Sequence, residues 1–248
     1  MRFNNSITNH QEIAQILSEQ GFCLLSPKDL QQALQITSAQ LSGIALYWEN
    51  LSEDTFLKDS GKYRFRRHSS YEISEDKIRI VPHRAHWQPV EYNALHGGMS
   101  RLFDPISPDL NNSPEWQKLI SGIAHLLENK SHEKTWLTEA HQFRINTIGG
   151  IGRPTPEGAH RDGVDYVAIL LINRYNIKGG ETRLFEIDSN QGIRFTLEEP
   201  WSMLLINDHR IIHETTPIQN ANGEGHRDTL ALTFRLGGFQ EPNHRILA

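Results

Sequence analysis

A chain of 248 residues with 30 acidic against 25 basic side chains carries a net charge of −5 and a pI of about 6.2; it suits one domain with insertions and has no basic tract to draw nucleic acid or an anionic membrane. Cys23 is the only cysteine, which excludes an intrachain disulfide and fits a reducing compartment. No apolar run is long enough to cross a bilayer, and Met1 to Ser6 lacks an apolar signal core, so the expectation is a cytoplasmic protein acting on a small molecule, with no nucleic-acid or membrane partner and the oligomeric state open.

Ile13, Ile16 and Leu17 fall at helical spacing, which predicts an amphipathic helix from Asn9 to Gln20 stopped by Gly21. Residues 21–25 read as a buried strand, with Cys23 as one of its small apolar side chains. Ser26-Pro27 is an N-cap followed by proline at the first helical position. The helix it opens carries Leu30, Leu34, Ile36 and Leu41 and is expected to continue through Ile44, Leu46 and Trp48. Lys62 to Tyr71 and Ile78 to Val81 are strand-like. Residues 86–112, with Gly97-Gly98, prolines and Asn111-Asn112, read as loop. Ser113-Pro114-Glu115 caps another helix, whose stripe is Trp116, Leu119, Ile120, Ile123, Leu126 and Leu127.

Past about residue 134 the pattern becomes β-rich, with candidate strands at 136–148, 165–172, 181–187, 192–197, 202–206, 210–214 and 227–235. Asn176 to Gly180 and Asn220 to Gly225 are the clearest turn tracts. Short strands with turn signals every eight to twelve residues predict a mainly β fold with flanking helices. Its core is a double-stranded β-helix, or jelly roll, of two facing sheets. The expected organisation is a single domain over 1–248: 1–133 supply helical support and outer strands, and 134–248 the jelly-roll catalytic core.

Chemistry concentrates at four residues. His160 and Asp162 in His-Arg-Asp lie on one extended segment and project to the same side. His213 follows from a distant strand, and Arg227 lies fourteen residues further on. Two imidazoles and one carboxylate occupy one face of an octahedron and leave the other open, which is the ligand set of a non-haem iron(II) oxygenase. A lone H-x-D tripeptide arises readily by chance in a chain with 13 histidines; the segment Ser202 to Pro217 adds the missing half, an apolar strand, a polar turn and a histidine on the next strand. His209 competes with His213, but His209 follows the Asn207-Asp208 turn and should be exposed, whereas His213 follows Ile211-Ile212 and should be buried.

Arg227 enters the apolar strand Leu230-Ala231-Leu232-Thr233-Phe234, and a buried cation needs an anionic partner. That partner is either an internal carboxylate or the distal carboxylate of 2-oxoglutarate, gripped by the planar fork of the guanidinium. Thr229, two residues on, shares its strand face and adds a hydroxyl donor.

The chain resembles the bacterial iron(II)/2-oxoglutarate dioxygenases that hydroxylate free L-amino acids, typified by L-isoleucine 4-hydroxylase. The likeness lies in Gln142-Phe143-Arg144, in His160 to Leu184 with its Gly179-Gly180 turn, in Glu199-Pro200 through His213-Glu214-Thr215-Thr216-Pro217-Ile218, and in Arg227 to Phe234. A weaker likeness covers Tyr63 to Ser69. The resemblance implies that His160, Asp162 and His213 bind iron(II), that Arg227 binds 2-oxoglutarate, and that dioxygen is the second co-substrate, with succinate and carbon dioxide released. A free amino acid needs a cation for its carboxylate. Gln142 and Arg144 share one strand face, and Arg64 and Arg66 another; all four are candidates for substrate binding, each set against a structural pairing. Glu214 either orients His213 or faces solvent. The rival readings are the same chemistry on a peptide, a carrier-bound amino acid or another small metabolite, a non-catalytic jelly-roll metal-binding protein, and a zinc hydrolase, in which Arg227 would be unexplained.

Overall fold

The computed structural model describes residues 10–59, 61–74, 77–127 and 135–242; Asn9 and Met1 to Ser6 lie outside them. In chain order the elements are α1 (His10–Gln20), β1 (Phe22–Leu25), α2 (Pro27–Leu34), α3 (Ser38–Ala45) with a 3-10 turn at Leu46–Trp48, β2 (Ser52–Glu53), β3 (Arg64–Ser74), β4 (Lys77–Ile80), α4 (Pro108–Asn111), α5 (Pro114–Leu126), β5 (Trp136–Asn146), β6 (Ile151–Gly152), β7 (Tyr166–Tyr175), β8 (Ile177–Gly179), β9 (Glu181–Glu186), β10 (Gly192–Thr196), β11 (Met203–Asn207), β12 (Ile211–Thr215), β13 (Ile218–Asn220) and β14 (His226–Arg235). Among the described residues no helix is long and apolar enough to cross a membrane.

Ser26 caps α2 as its sequence predicts, accepting from the Asp29 amide while the Asp29 carboxylate accepts from Ser26 N–H, so two orphan donors are satisfied together. The single long helix expected from Leu30 to Trp48 is instead broken. Gln35 adopts a left-handed φ of 52°, and Thr37 opens α3 with its own capping box to Gln40. The apolar spacing survives the break because Ile36, Leu41 and Ile44 still reach the core.

An eight-stranded antiparallel sheet runs β1-β11-β7-β14-β5-β3-β2, with β4 on the outside of β3. The small sheet β10-β9-β12 packs on it through Leu184 and Ile211 against Val167, Leu204 and Ile206. A third sheet, β6-β13-β8, is built from short strands that the sequence pattern did not predict. This is the expected jelly roll with flanking helices, and strands β1 to β4 from the first half of the chain join the large sheet.

The large sheet has two unlike faces because side chains alternate along each strand. On β14, Leu230, Leu232 and Phe234 point to the helices, where they meet Trp116, Leu119, Ile120 and Ile123 of α5. Arg227, Thr229, Ala231 and Thr233 point the other way, into a cavity of about 130 Å³ between the sheets. On β5, His141, Phe143 and Ile145 line that cavity, as do Arg64 and Arg66 on β3.

Candidate functional site

His160 and His213 are placed opposite one another by an isolated β-bridge: His160 N–H donates to His213 O (3.0 Å) and His213 N–H to His160 O (2.9 Å). Directly opposed residues put their side chains on one face, and the two rings stand 4.6 Å apart. Asp162, two residues on, falls on the same side. Its carboxylate oxygens lie 3.8 Å from His160 Nε2 and 3.7 Å from His213 Nε2, and one donor atom from each of the three lies within 4.8 Å of the others.

The turn after Asp162 is held by Asp208, whose carboxylate accepts from the amides of Asp162, Gly163 and Val164 at 3.0, 2.8 and 3.1 Å. Burial and the nearby Asp162 push Asp208 up to about 6. Gly163 has a φ of +74°, and a Cβ there would stand 2.4 Å from the Tyr92 ring; the turn therefore needs glycine.

The three side chains suit a divalent metal. His160 Nδ1 lies 2.8 Å from Gly158 O. A carbonyl only accepts, so Nδ1 carries the proton and Nε2 presents its lone pair to the centre. Burial, reinforced by His160, pushes His213 down to about 4, which leaves it neutral, as a ligand must be. Burial opposes protonation of His160 too, but Asp162 and Glu157 outweigh it and raise its pKa. Their field is negative, the sign that a cation needs. Glu157 Oε1 stands 3.4 Å from His160 Nε2, and its buried Oε2 has no hydrogen-bond partner among the described residues.

Arg227 is 3 % exposed, and its Nε and Nη2 have no partner among the described residues. Burial and then the Arg174 cation push it down to about 10, so it stays charged at neutral pH. Thr229 lines the same cavity. Arg64 and Arg66 are both there, buried, on either side of Asp54: Arg64 Nε is 2.7 Å and Arg66 Nη1 3.6 Å from its Oδ2.

Gln142 and Arg144 do share a strand face, but it is the face turned away from the cavity, because His141, Phe143 and Ile145 occupy the inner one. Gln142 donates to Tyr47 O, and Arg144 forms a two-point pair with Asp228, 2.8 Å at each contact. Both are structural partners and do not meet the metal-site residues. His209 is exposed and pairs with Asp165 at 3.0 Å, whereas His213 is buried. Glu214 pairs with Arg183 at 3.3 Å instead of reaching His213.

Sequence reasoning missed the residues that the loop between β4 and α4 brings in. Gln88 donates to Asp162 Oδ1 (3.0 Å) and accepts from Arg101 Nη2 (3.1 Å) and Asn93 Nδ2 (3.2 Å). A second buried group, His68, His86, Glu139 and His141, also has metal-ligand spacing. Its one advance signal was Glu139-Ala140-His141, an i, i+2 pair like His160 and Asp162 in reverse order.

The model of a family described as 2OG-Fe dioxygenase matches residues 45–233. Among solved structures, a bsmA homologue from Methylobium petroleophilum is 45% identical, with 97% of this chain and 98% of that one aligned and a TM-score of 0.90. IDO from Bacillus thuringiensis is 20% identical over 92% of this chain and 100% of its own, with a TM-score of 0.75. The Fe(II)/α-ketoglutarate-dependent dioxygenase TqaL is 17% identical over 95% and 93%, with a TM-score of 0.67. These last two are similar in fold alone. No curated protein matches the chain.

Proposed function

The chain belongs to the 2OG-Fe dioxygenase family, and from that premise we propose that it hydroxylates the side chain of a free L-amino acid. The overall reaction balances: substrate C–H, 2-oxoglutarate and dioxygen give the alcohol, succinate and carbon dioxide. The observation that carries the substrate class is the cavity. At about 130 Å³, lined by side chains from both sheets, it suits a small metabolite rather than a folded polypeptide. Buried guanidinium groups in its wall match a substrate that brings its own carboxylate.

His160 Nε2, Asp162 and His213 Nε2 would hold iron(II). Bound there, the metal supplies the redox chemistry that activates dioxygen. The chain's own groups do the positioning. Asp208 holds the backbone turn that aims Asp162, and Gly158 O fixes the tautomer of His160. Arg227, whose Nε and Nη2 meet no partner among the described residues, would grip the distal carboxylate of 2-oxoglutarate, and Thr229, which lines the same cavity, would add its hydroxyl. Val167 and Ile169 contribute apolar wall, which keeps water from the reacting carbon. A non-catalytic metal protein would have no use for a buried Arg227 with two donors that meet no partner among the described residues.

Anaerobically purified protein, given iron(II), 2-oxoglutarate and a panel of L-amino acids before air is admitted, tests the reading. One or more amino acids should raise succinate release and gain one oxygen atom by mass. Succinate that no amino acid stimulates would contradict the substrate class.

A further inference from the structure

In the same cavity as the metal-site side chains, three guanidinium groups outnumber the carboxylates paired with them. Arg64, Arg66 and Arg101 are each no more than 4 % exposed. Asp54 serves the first two, and the neutral amide of Gln88 accepts from the third. Of the other acids, Glu139 is already engaged by Arg84 at 2.8 Å and His86 at 2.9 Å, and Glu157 stands at His160. Arg64 Nη2, Arg66 Nε and Arg101 Nε have no partner among the described residues. Buried donors of charged groups are costly to leave unmade.

The electrostatics point the same way. Burial, with Arg64 and Arg101 adding to it, pushes Arg66 well below the ordinary guanidinium range even though Asp54 pulls the other way. Burial and then Arg64 lower Arg101. Burial would raise Asp54, but Arg66 and Arg64 hold it below its usual value. This end of the cavity is short of negative charge.

It is also separate from Arg227. Arg227 pairs with Ile145 across β14 and β5, and Ile145 with Arg64 across β5 and β3, so the backbones of the two arginines stand two strand spacings, about 10 Å, apart along one row. With the distal carboxylate of 2-oxoglutarate at Arg227 and its other end at the metal, the second cationic pole is left for the other reactant. Resting on the amino-acid hydroxylase reading above, we propose that Arg64, Arg66 and Arg101 form an anion subsite that takes the carboxylate of the substrate, and that Gln88 links this subsite to Asp162.

The subsite is built rather than incidental. Arg66 lies between the rings of Phe103 and Phe143, 3.6 and 4.5 Å from their centroids. Its Nη2 is 2.6 Å from His141 Nδ1; arginine only donates, so His141 accepts and is neutral. These contacts fix the guanidinium before substrate arrives, which lowers the entropic cost of binding. Gln88 holds Arg101 through its oxygen and Asp162 through its nitrogen, so a carboxylate that draws on Arg101 acts one side chain away from the metal site.

The test is calorimetric titration of protein loaded with zinc(II), a redox-silent stand-in for iron, and 2-oxoglutarate. The probes are L-amino acids, their carboxamides and the corresponding deaminated acids. Carboxylates should bind about tenfold or more tighter than matched carboxamides. Arg101→Gln should shrink that preference to within about threefold while 2-oxoglutarate affinity stays put, and that unchanged affinity reports an intact fold. Arg64→Gln provides a second variant, and the acid-to-amide comparison in the wild type needs none. Equal binding of acids and amides, no binding by any carboxylate in the panel, or a loss of 2-oxoglutarate affinity in place of substrate preference would each overturn the subsite. If deaminated acids bind as well as amino acids and depend equally on Arg101, the subsite stands and the amino-acid reading fails. If amino acids bind no better than their amides, the reverse holds.

Discussion

Two histidine groups stand in the same wall system, and they are built alike. His160 faces His213 across a bridge, and His68 faces His141 across β3 and β5, with ring centroids 4.6 and 4.7 Å apart. Each pair has a carboxylate two residues from one of its histidines, Asp162 or Glu139. Ligand type and spacing therefore do not separate them; charge does. Around His160 the neighbours are Asp162, Glu157 and Asp208, which raise its pKa against the pull of burial. Around the second group Arg84 occupies Glu139 and Arg66 occupies His141, and burial followed by Arg66 drives His141 well below the imidazole range. A divalent cation is welcome in the first field and opposed in the second. The second group instead supports Arg66, with His141 as its neutral acceptor.

The largest expected effect is at the metal set. His160→Ala should bring substrate-stimulated succinate release down to the background of metal-free protein, read by mass spectrometry. His141→Gln should leave metal content unchanged, because Arg66 and not a metal is its partner. Metal lost from His141→Gln would break the comparison.

Next comes stability against pH. Burial pushes His68 from 6.5 down to about 4, with Glu139 pulling the other way. The unfolded chain then takes up a proton that the folded one refuses, so stability is full above pH 6.5 and is lost as pH falls towards 4. The contribution is on the order of 3 kcal/mol. Glu139, held low by His86 and His68 despite burial, adds a loss of the same sign at lower pH. Denaturant titrations should show the slope between pH 6.5 and 4 flattened in His68→Gln; an unchanged slope would mean that His68 is not the group refusing the proton.

Arg227→Lys should raise the 2-oxoglutarate requirement about tenfold to a hundredfold, since lysine lacks the two-point fork, with the iron requirement unchanged. A normal requirement would return Arg227 to a structural role. The smallest effect belongs to His209→Ala. Exposed and paired with Asp165 at the surface, it should alter turnover by less than about twofold and stability by under about 1 kcal/mol.

What was legible beforehand follows from whether the information is local. The H-x-D spacing, the buried setting of His213 and the charge of Arg227 at the mouth of an apolar strand are properties of short segments, and each lies where its segment implied. Gln142 and Arg144 show the limit. Alternation puts them on one face correctly, but which face meets the cavity depends on the helices that pack behind β5. Gln88, Arg101 and Asp54 were invisible because no periodicity places them. The β4–α4 loop is held by its own contacts, the His86–Arg101 bridge and the His96 amide on Asn93 Oδ1. The break after α2 was hidden for the opposite reason: the apolar spacing runs through it, and only the left-handed Gln35 and the Thr37 cap mark it.

Metal content per chain, measured by elemental analysis after iron(II) loading and anaerobic dialysis, tests the contrast between the two groups most directly. One iron per chain is predicted in the wild type and in His141→Gln, and none in a His160→Ala, Asp162→Ala double variant. Two irons in the wild type, or one surviving in the double variant, would contradict it.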